Sequence, residues 1–318
     1  MNDQTTAAEP AAAAVTVPEA VAVPALGEPG ARSGGRRAAL APVALVVAGA
    51  LSVQFGAAIA VLLMPRAGAL GVVTLRLAAA ALVLLVVCRP KLRGHSRADW
   101  GTVVAFGVAM GGMNTLFYQA ADRIPLGAAV TLEVLGPLAL SVIASRRLVN
   151  LVWAALALGG VVLLSGGGFD RLDPVGAAYA LGAGVMWAAY IVFSARTGRR
   201  FPQADGLALA MVVAALLSLP LGIMDAGSKL LVPTTLGLGA AVALLSSVLP
   251  YTLELIALRR LPAPTFAILM SLEPAIAAMA GFLLLDQALS TTDALAIALV
   301  IGASMGAVRS QVRGASKR

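Results

Sequence analysis

The chain has 318 residues, 60% of them hydrophobic and 12% charged, with a formal net charge of +8. Soluble domains carry about twice that share of charge, so the polar surface is too small to wet a globule of 32.0 kDa; the composition predicts an integral membrane protein. A single cysteine, Cys88, and a single histidine, His95, exclude an intrachain disulfide and cages rich in either residue, and no metal or cofactor is expected.

Residues 1–38 mix Ala, Val, Pro and Glu and end on Arg32, Arg36 and Arg37. Asp3, Glu9 and Glu19 stand where a secretory signal would be basic and then apolar, so the segment reads as a disordered cytoplasmic tail. Ten apolar runs follow, at 39–63, 67–87, 100–120, 125–144, 150–165, 174–194, 204–224, 233–257, 262–285 and 291–309. Most have the length that a bilayer core demands of a helix. They do not alternate apolar with polar residues, which excludes the strands of a membrane barrel. Pro125, Pro174, Pro233 and Pro262 open runs, where a missing N–H costs nothing. The fold expected is an all-α polytopic membrane protein of ten transmembrane helices.

The connections orient it. Of 23 basic residues, 18 fall in the two tails and the even-numbered connections. Four fall in the odd ones (Arg66, Arg123, Arg171 and Lys229), and Arg76 lies within a run. Positive residues mark the cytoplasmic side, so both termini are placed in the cytoplasm. The +8 is an orientation signal, and no nucleic-acid partner is expected.

The chain also resembles itself. At an offset of 137, Ala120, Arg123 and Pro125 meet Ala257, Arg260 and Pro262, while Gly136-Pro137 meets Glu273-Pro274. Near 135, Ala48, Gly49 and Phe55 meet Ala183, Gly184 and Tyr190. A five-helix unit repeated once has its second copy upside down, the inverted repeat of many secondary transporters. The units expected are 39–165 and 174–309, with a basic cytoplasmic tail at 310–318.

Beyond the three terminal positions at either end, four charged residues lie inside the runs: Arg76, Glu133, Glu254 and Glu273. Each costs about 2.5–3.5 kcal/mol on insertion scales and should face the protein interior or water. Ion pairing that only joins helices is the alternative, but three acids outnumber one base, and a surplus carboxylate can bind a proton or a substrate ammonium. Pro137 stands four residues after Glu133 and cannot donate to its carbonyl, which puts a free acceptor beside the carboxylate. Glu273 precedes Pro274, where the helical conformation is disfavoured and a gating kink is expected. Glu254 follows Pro250 and has Arg259 and Arg260 as alternative partners. Arg76 can clamp a carboxylate in bidentate fashion or pair with a glutamate. Gln54, Asn114, Tyr118, Trp187 and Tyr190 add polar or aromatic walls. Asn114 and Tyr118 share a helix face, as do Trp187 and Tyr190. Gly107 and Gly111 have the spacing of close helix packing. Gly166 to Gly168 lack the Lys-Ser/Thr of a phosphate loop and read as an external connection. No Ser-His pair, paired Asp or His cluster falls in the runs, so an enzyme is not expected.

Four stretches carry a resemblance: GGMNTLFYQAADRIPLGAAVTLEVLGPLAL (111–140), SRR (145–147), ALGAGVMWAAYIVFSARTG (180–198) and LPYTLELIALRRLPAPTFAILMSLEPAIAAMAG (249–281). They resemble the drug/metabolite transporter superfamily, EamA-type, and within it the bacterial threonine/homoserine exporter family. The likeness runs from about residue 42 to residue 307. It implies two inverted five-helix repeats in the bacterial inner membrane, and export of small neutral amino acids such as threonine and homoserine by proton antiport. It also implies matching positions for Arg76, Asn114 with Tyr118, Glu133 with Gly136-Pro137, Trp187 with Tyr190, Glu254, and Glu273-Pro274. On that reading the substrate ammonium meets Glu133, its carboxylate meets Arg76 or Asn114, and Glu273 or Glu254 carries the proton. Gln54 joins the substrate-binding set, and Pro137 and Pro274 join the gating set. The chain departs from the family at Asp286, where a Glu is usual, and in its longer N-terminal tail. An alternative within the superfamily is export of drug-like or aromatic metabolites, for which Trp187 and Tyr190 would form the walls.

Overall fold

The computed structural model describes residues 35–145, 149–164, 173–201, 204–250, 253, 257 and 263–315. These residues are helical with short connections, and no strand occurs among them. The helices are α1 (Gly35–Cys88), α2 (Arg97–Ala121), α3 (Leu126–Glu133), α4 (Leu135–Ser145), α5 (Val149–Leu164) and α6 (Pro174–Gly198). They continue with α7 (Asp205–Ala226), α8 (Pro233–Ala243), α9 (Ala263–Met270), α10 (Glu273–Leu284) and α11 (Thr291–Ala315). A 3₁₀ turn, Gly227–Leu231, links α7 to α8, and a π turn, Leu244–Val248, follows α8.

α1 takes in the first two apolar runs. As one straight rod its 54 residues would reach roughly 80 Å, far beyond a bilayer core of about 30 Å. Gly68 bends it, with φ 66° and ψ 165°. That positive φ suits glycine, and a Cβ there would collide with the Asp225 carboxyl. Asp225 instead accepts a hydrogen bond from the Leu70 N–H at 3.1 Å, capping the start of the second arm as a carboxylate does at a helix N-terminus.

The proline-led starts hold where they are described. Pro125 is the N-cap of α3, and Pro174 and Pro233 sit in the first turns of α6 and α8. Asp173 caps α6 by accepting from the Val175 N–H at 3.1 Å. The last helix runs to Ala315, six residues past its expected end. Residues 1–34, the Gly166–Gly168 connection, Arg146, Arg147 and Glu254 lie outside the described residues.

Among the described residues five apolar helical segments are long enough to cross a membrane: Ala41–Cys88, Arg97–Ala121, Pro174–Gly198, Asp205–Leu231 and Thr291–Arg309. Shorter apolar helices lie at Leu126–Leu140, Val152–Leu163, Pro233–Val248 and Ile268–Leu284. Large apolar side chains face outward along them, with Val86 70% and Met224 85% exposed. A soluble protein does not leave such a belt open; the chain is a multi-pass membrane protein.

Inside, small residues bring helices close. α2 lies along α6 and α7, and Gly107 and Gly111 meet Ala210, Val213 and Ala214 of α7. The second arm of α1 packs on α7, α5 on α11, and α3 on α10, where Gly127 abuts Ala278. With no water to exclude between lipid-soluble helices, this fit is what holds them.

Candidate functional site

Among the described residues three of the expected runs are interrupted near their middles beside a proline. In the run expected at 125–144, α3 ends at Glu133 and α4 begins at Leu135, with Val134 between them (φ −60°, ψ −20°). Pro137 has no N–H for the Glu133 carbonyl. That oxygen faces α6, so that a Cβ on Gly184 would stand 2.6 Å from it, and a Cβ on Gly136 would collide with the Gly184 carbonyl. The freed carbonyl is therefore covered by a neighbouring backbone. The Glu133 side chain is buried at 9% exposure, and among the described residues it makes no hydrogen bond or ion pair.

The second interruption is the π turn after α8. The Leu249 N–H bonds the Leu244 carbonyl, one residue further back than in an α-helix, which leaves the Leu245 carbonyl unclaimed. Pro250 cannot donate to the Ser246 carbonyl. Both carbonyls bond laterally to α1: Ser52 Oγ donates to Leu245 O at 2.6 Å, and Arg76 Nη2 donates to Ser246 O at 3.0 Å. Gly56, four residues after Ser52, lets the first arm lie against the turn, since a Cβ there would be 3.0 Å from Leu245 Cβ.

Arg76 is the hub. Besides Ser246 it donates from Nη1 to the Tyr118 hydroxyl at 3.0 Å and approaches Ser247 Oγ from Nε at 3.5 Å. Its guanidinium carbon lies 5.6 Å from the centre of the Tyr118 ring, within cation–π range. Among the described residues Arg76 and Glu133 form no ion pair. Ion pairs elsewhere, Arg123–Asp173 at 3.3 Å and Arg200–Asp99 at 3.2 Å, are part-exposed and sit at helix ends.

The other expected residues fall as follows. Tyr118 is fully buried and bound to Arg76. Asn114, on the same face of α2, turns its amide back to donate to Met110 O at 2.9 Å. Gln54 is buried with its Oε1 lacking a hydrogen-bond partner. Tyr190 packs on Phe106 with ring centres 5.2 Å apart, and Trp187 is half-buried against the same core. Glu273 is buried as the first residue of α10, with Pro274 next to it and the helix N-terminus at its back. The break between Met270 and Glu273 mirrors that at Val134. The structure thus joins Arg76 to Tyr118. Among the described residues no hydrogen bond or ion pair joins Gln54 or Trp187 to that pair. Among the described residues no cluster of three or more His, Cys, Asp or Glu side chains has the proximity to hold a metal.

Ser246 and Ser247 were not foreseen. The signal was available, because the Pro250 that follows Ser246 by four residues repeats the spacing of Pro137 after Glu133.

Residues 174–309 match the model of the EamA-like transporter family. The chain is 42% identical to the threonine/homoserine exporter RhtA of Escherichia coli K12 over 267 residues, 83% of this chain and 90% of that protein. It is 41% identical to the same exporter of Salmonella typhimurium LT2 over the same shares. A solved crystal structure, 20% identical, superposes with a TM-score of 0.55 over 85% of this chain and 98% of its own. At that identity it speaks for the fold alone.

Proposed function

The chain belongs to the EamA-like transporter family as an RhtA-like member, and from that premise we propose that it exports small neutral amino acids such as threonine and homoserine across the bacterial inner membrane. The observation that carries the reading is an arginine and a glutamate within the helices that form no ion pair among the described residues. Among the described residues Arg76 is bound by neutral groups only, and the buried Glu133 carboxyl has no partner there. A zwitterion brings the two missing charges, with its carboxylate for Arg76 and its ammonium for Glu133. Binding is favourable because each buried charge costs several kcal/mol until it is compensated.

Ten spans in two inverted repeats, 39–165 and 174–309, with both termini cytoplasmic, complete the reading. Support comes from the paired breaks at Val134 and before Glu273, and from the packing of α5 on α11. Proton antiport follows if Glu273 or Glu254 exchanges its proton with the aqueous phases as the halves rock, Pro137 and Pro274 serving as flexure points. Asn114 and Gln54 supply polar wall, and Trp187 and Tyr190 aromatic wall. Uptake of labelled amino acids into inside-out vesicles, with and without a proton gradient, tests it. Threonine and homoserine should accumulate only with the gradient and only with Glu133 intact. Gradient-independent uptake removes the antiport. Preference for aromatic metabolites over threonine favours the other class of cargo.

A further inference from the structure

Arg76 carries five N–H donors. One from Nη1 goes to Tyr118, one from Nη2 to the Ser246 carbonyl, and the Nε–H points to Ser247 Oγ. One donor therefore remains on each terminal nitrogen, the number that a bidentate carboxylate takes. The partners already in place are a phenol, a peptide carbonyl and a hydroxyl, none of which neutralises the charge. Two of the three come from the π turn, on adjacent residues, and flank one edge of the guanidinium.

We propose that the π turn Leu244–Val248 is a positioning element that holds the Nε/Nη2 edge of Arg76, so that the two remaining N–H groups face a carboxylate. Selection for a carboxylate over a plain amine is then written in the α8 backbone, with Ser247 and Pro250 as its positioning residues. This rests on the reading above in which Arg76 meets the substrate carboxylate. Two features of the turn fit the task. The acceptor at Ser246 is main-chain, so its position is set by the helix and not by a rotamer. It is also clamped from the other side, where Ser52 takes the preceding carbonyl at 2.6 Å. An α-helical register would return the Leu245 carbonyl to the Leu249 N–H. The Ser246 carbonyl is kept free for Arg76 by Pro250 itself, since residue 250 has no N–H to give.

The test uses the full-length purified protein and reads ligand binding by thermal stabilisation. Threonine, homoserine and a panel of other amino acids are compared with the matching amino alcohols, which lack the carboxylate. Wild type should be stabilised by the acids and at least tenfold more weakly by the alcohols. Pro250→Ala, which restores the N–H, should weaken acid binding about tenfold, in line with losing one charge-assisted hydrogen bond, and leave alcohol binding unchanged. Ser247→Ala should show a smaller loss of the same kind, and Ser247→Thr, which keeps the hydroxyl, should restore it. A merely structural role would lower the melting temperature and weaken acids and alcohols together; that result, or undiminished discrimination in Pro250→Ala, overturns the proposal. If threonine and homoserine fail but another carboxylate-bearing amino acid binds and obeys the pattern, the cargo reading falls and the positioning role stands. If no carboxylate compound stabilises the wild type, the positioning role falls as well.

Discussion

The breaks at Val134 and at Leu244–Val248 arise from the same local chemistry and end differently. In each, a proline leaves the carbonyl four residues earlier without its helical donor. At the first, the neighbour is Gly184, whose missing side chain lets the α6 backbone close over the Glu133 oxygen. At the second, the neighbour is Arg76, which takes the Ser246 oxygen at 3.0 Å. A proline only creates the acceptor; the residue packed across from it decides whether the acceptor becomes a packing surface or a ligand. On the proposed reading the first break contributes a side chain, the Glu133 carboxyl, and the second contributes backbone.

This contrast can be tested at both ends. The largest effect belongs to the charges themselves. Glu133→Gln and Arg76→Ala should each cut threonine efflux from loaded cells by about 100-fold, the equivalent of about 3 kcal/mol of charge-assisted contact, with the protein still present in the membrane. Normal efflux in either would detach the charged pair from transport. Next comes the glycine contact. Gly184→Val should destabilise the fold by up to about 3 kcal/mol through overpacking, read as thermal unfolding in detergent, while the folded fraction keeps its ligand affinity. A stable variant with altered affinity would instead make the first break a ligand site.

The prolines then give the direct comparison. Pro137→Ala should change amino-acid affinity by less than about twofold, because the Glu133 carbonyl has no side-chain donor to lose. Pro250→Ala should change it about tenfold. Equal shifts would erase the distinction. The smallest effect is a control outside both breaks. Partial desolvation of Asp173 is outweighed by hydrogen bonds from the Val175 N–H and Arg123, which hold its carboxyl below its usual value of 3.8. A depressed carboxyl stabilises the fold above its unfolded pKa, and that contribution is lost as pH falls through the lower folded value. Asp173→Asn should lower stability slightly at neutral pH, the gap to wild type closing below pH 3.8 and transport staying unchanged. A gap that persists in acid would assign the effect to packing.

Much of this architecture is visible in the residues before any coordinates. The apolar runs, the prolines that open them and the charges stranded within them follow from rules that act over one or two helical turns. Glu133, Arg76 and the break before Pro137 are local in that sense. The elbow at Gly68 is less so, since the first two runs are separated only by Met64, Pro65 and Arg66 and the contact with Asp225 marks where the bend falls. The partners of Arg76 are not local at all: Ser246 stands 170 residues away, and no short-range pattern names it. The proline rule that singles out Glu133 applies equally to Ser246, but Pro250 draws the eye toward Glu254, a charged residue, and away from a serine. In a membrane helix the backbone itself is a polar group, and a reading that counts side chains passes over it.

The same long spans bear on how the molecule is made. Ser52, Thr74 and Arg76 bond to main-chain oxygens at Leu245, Ser218 and Ser246, which leave the ribosome 193, 144 and 170 residues later. At a synthesis rate of about 5–20 residues per second, Arg76 enters the bilayer roughly ten to thirty seconds before Ser246 exists. Tyr118, only 42 residues downstream, is the partner available meanwhile. Of the described partners of Arg76, a chain that ends after its first half holds one, the Tyr118 phenol.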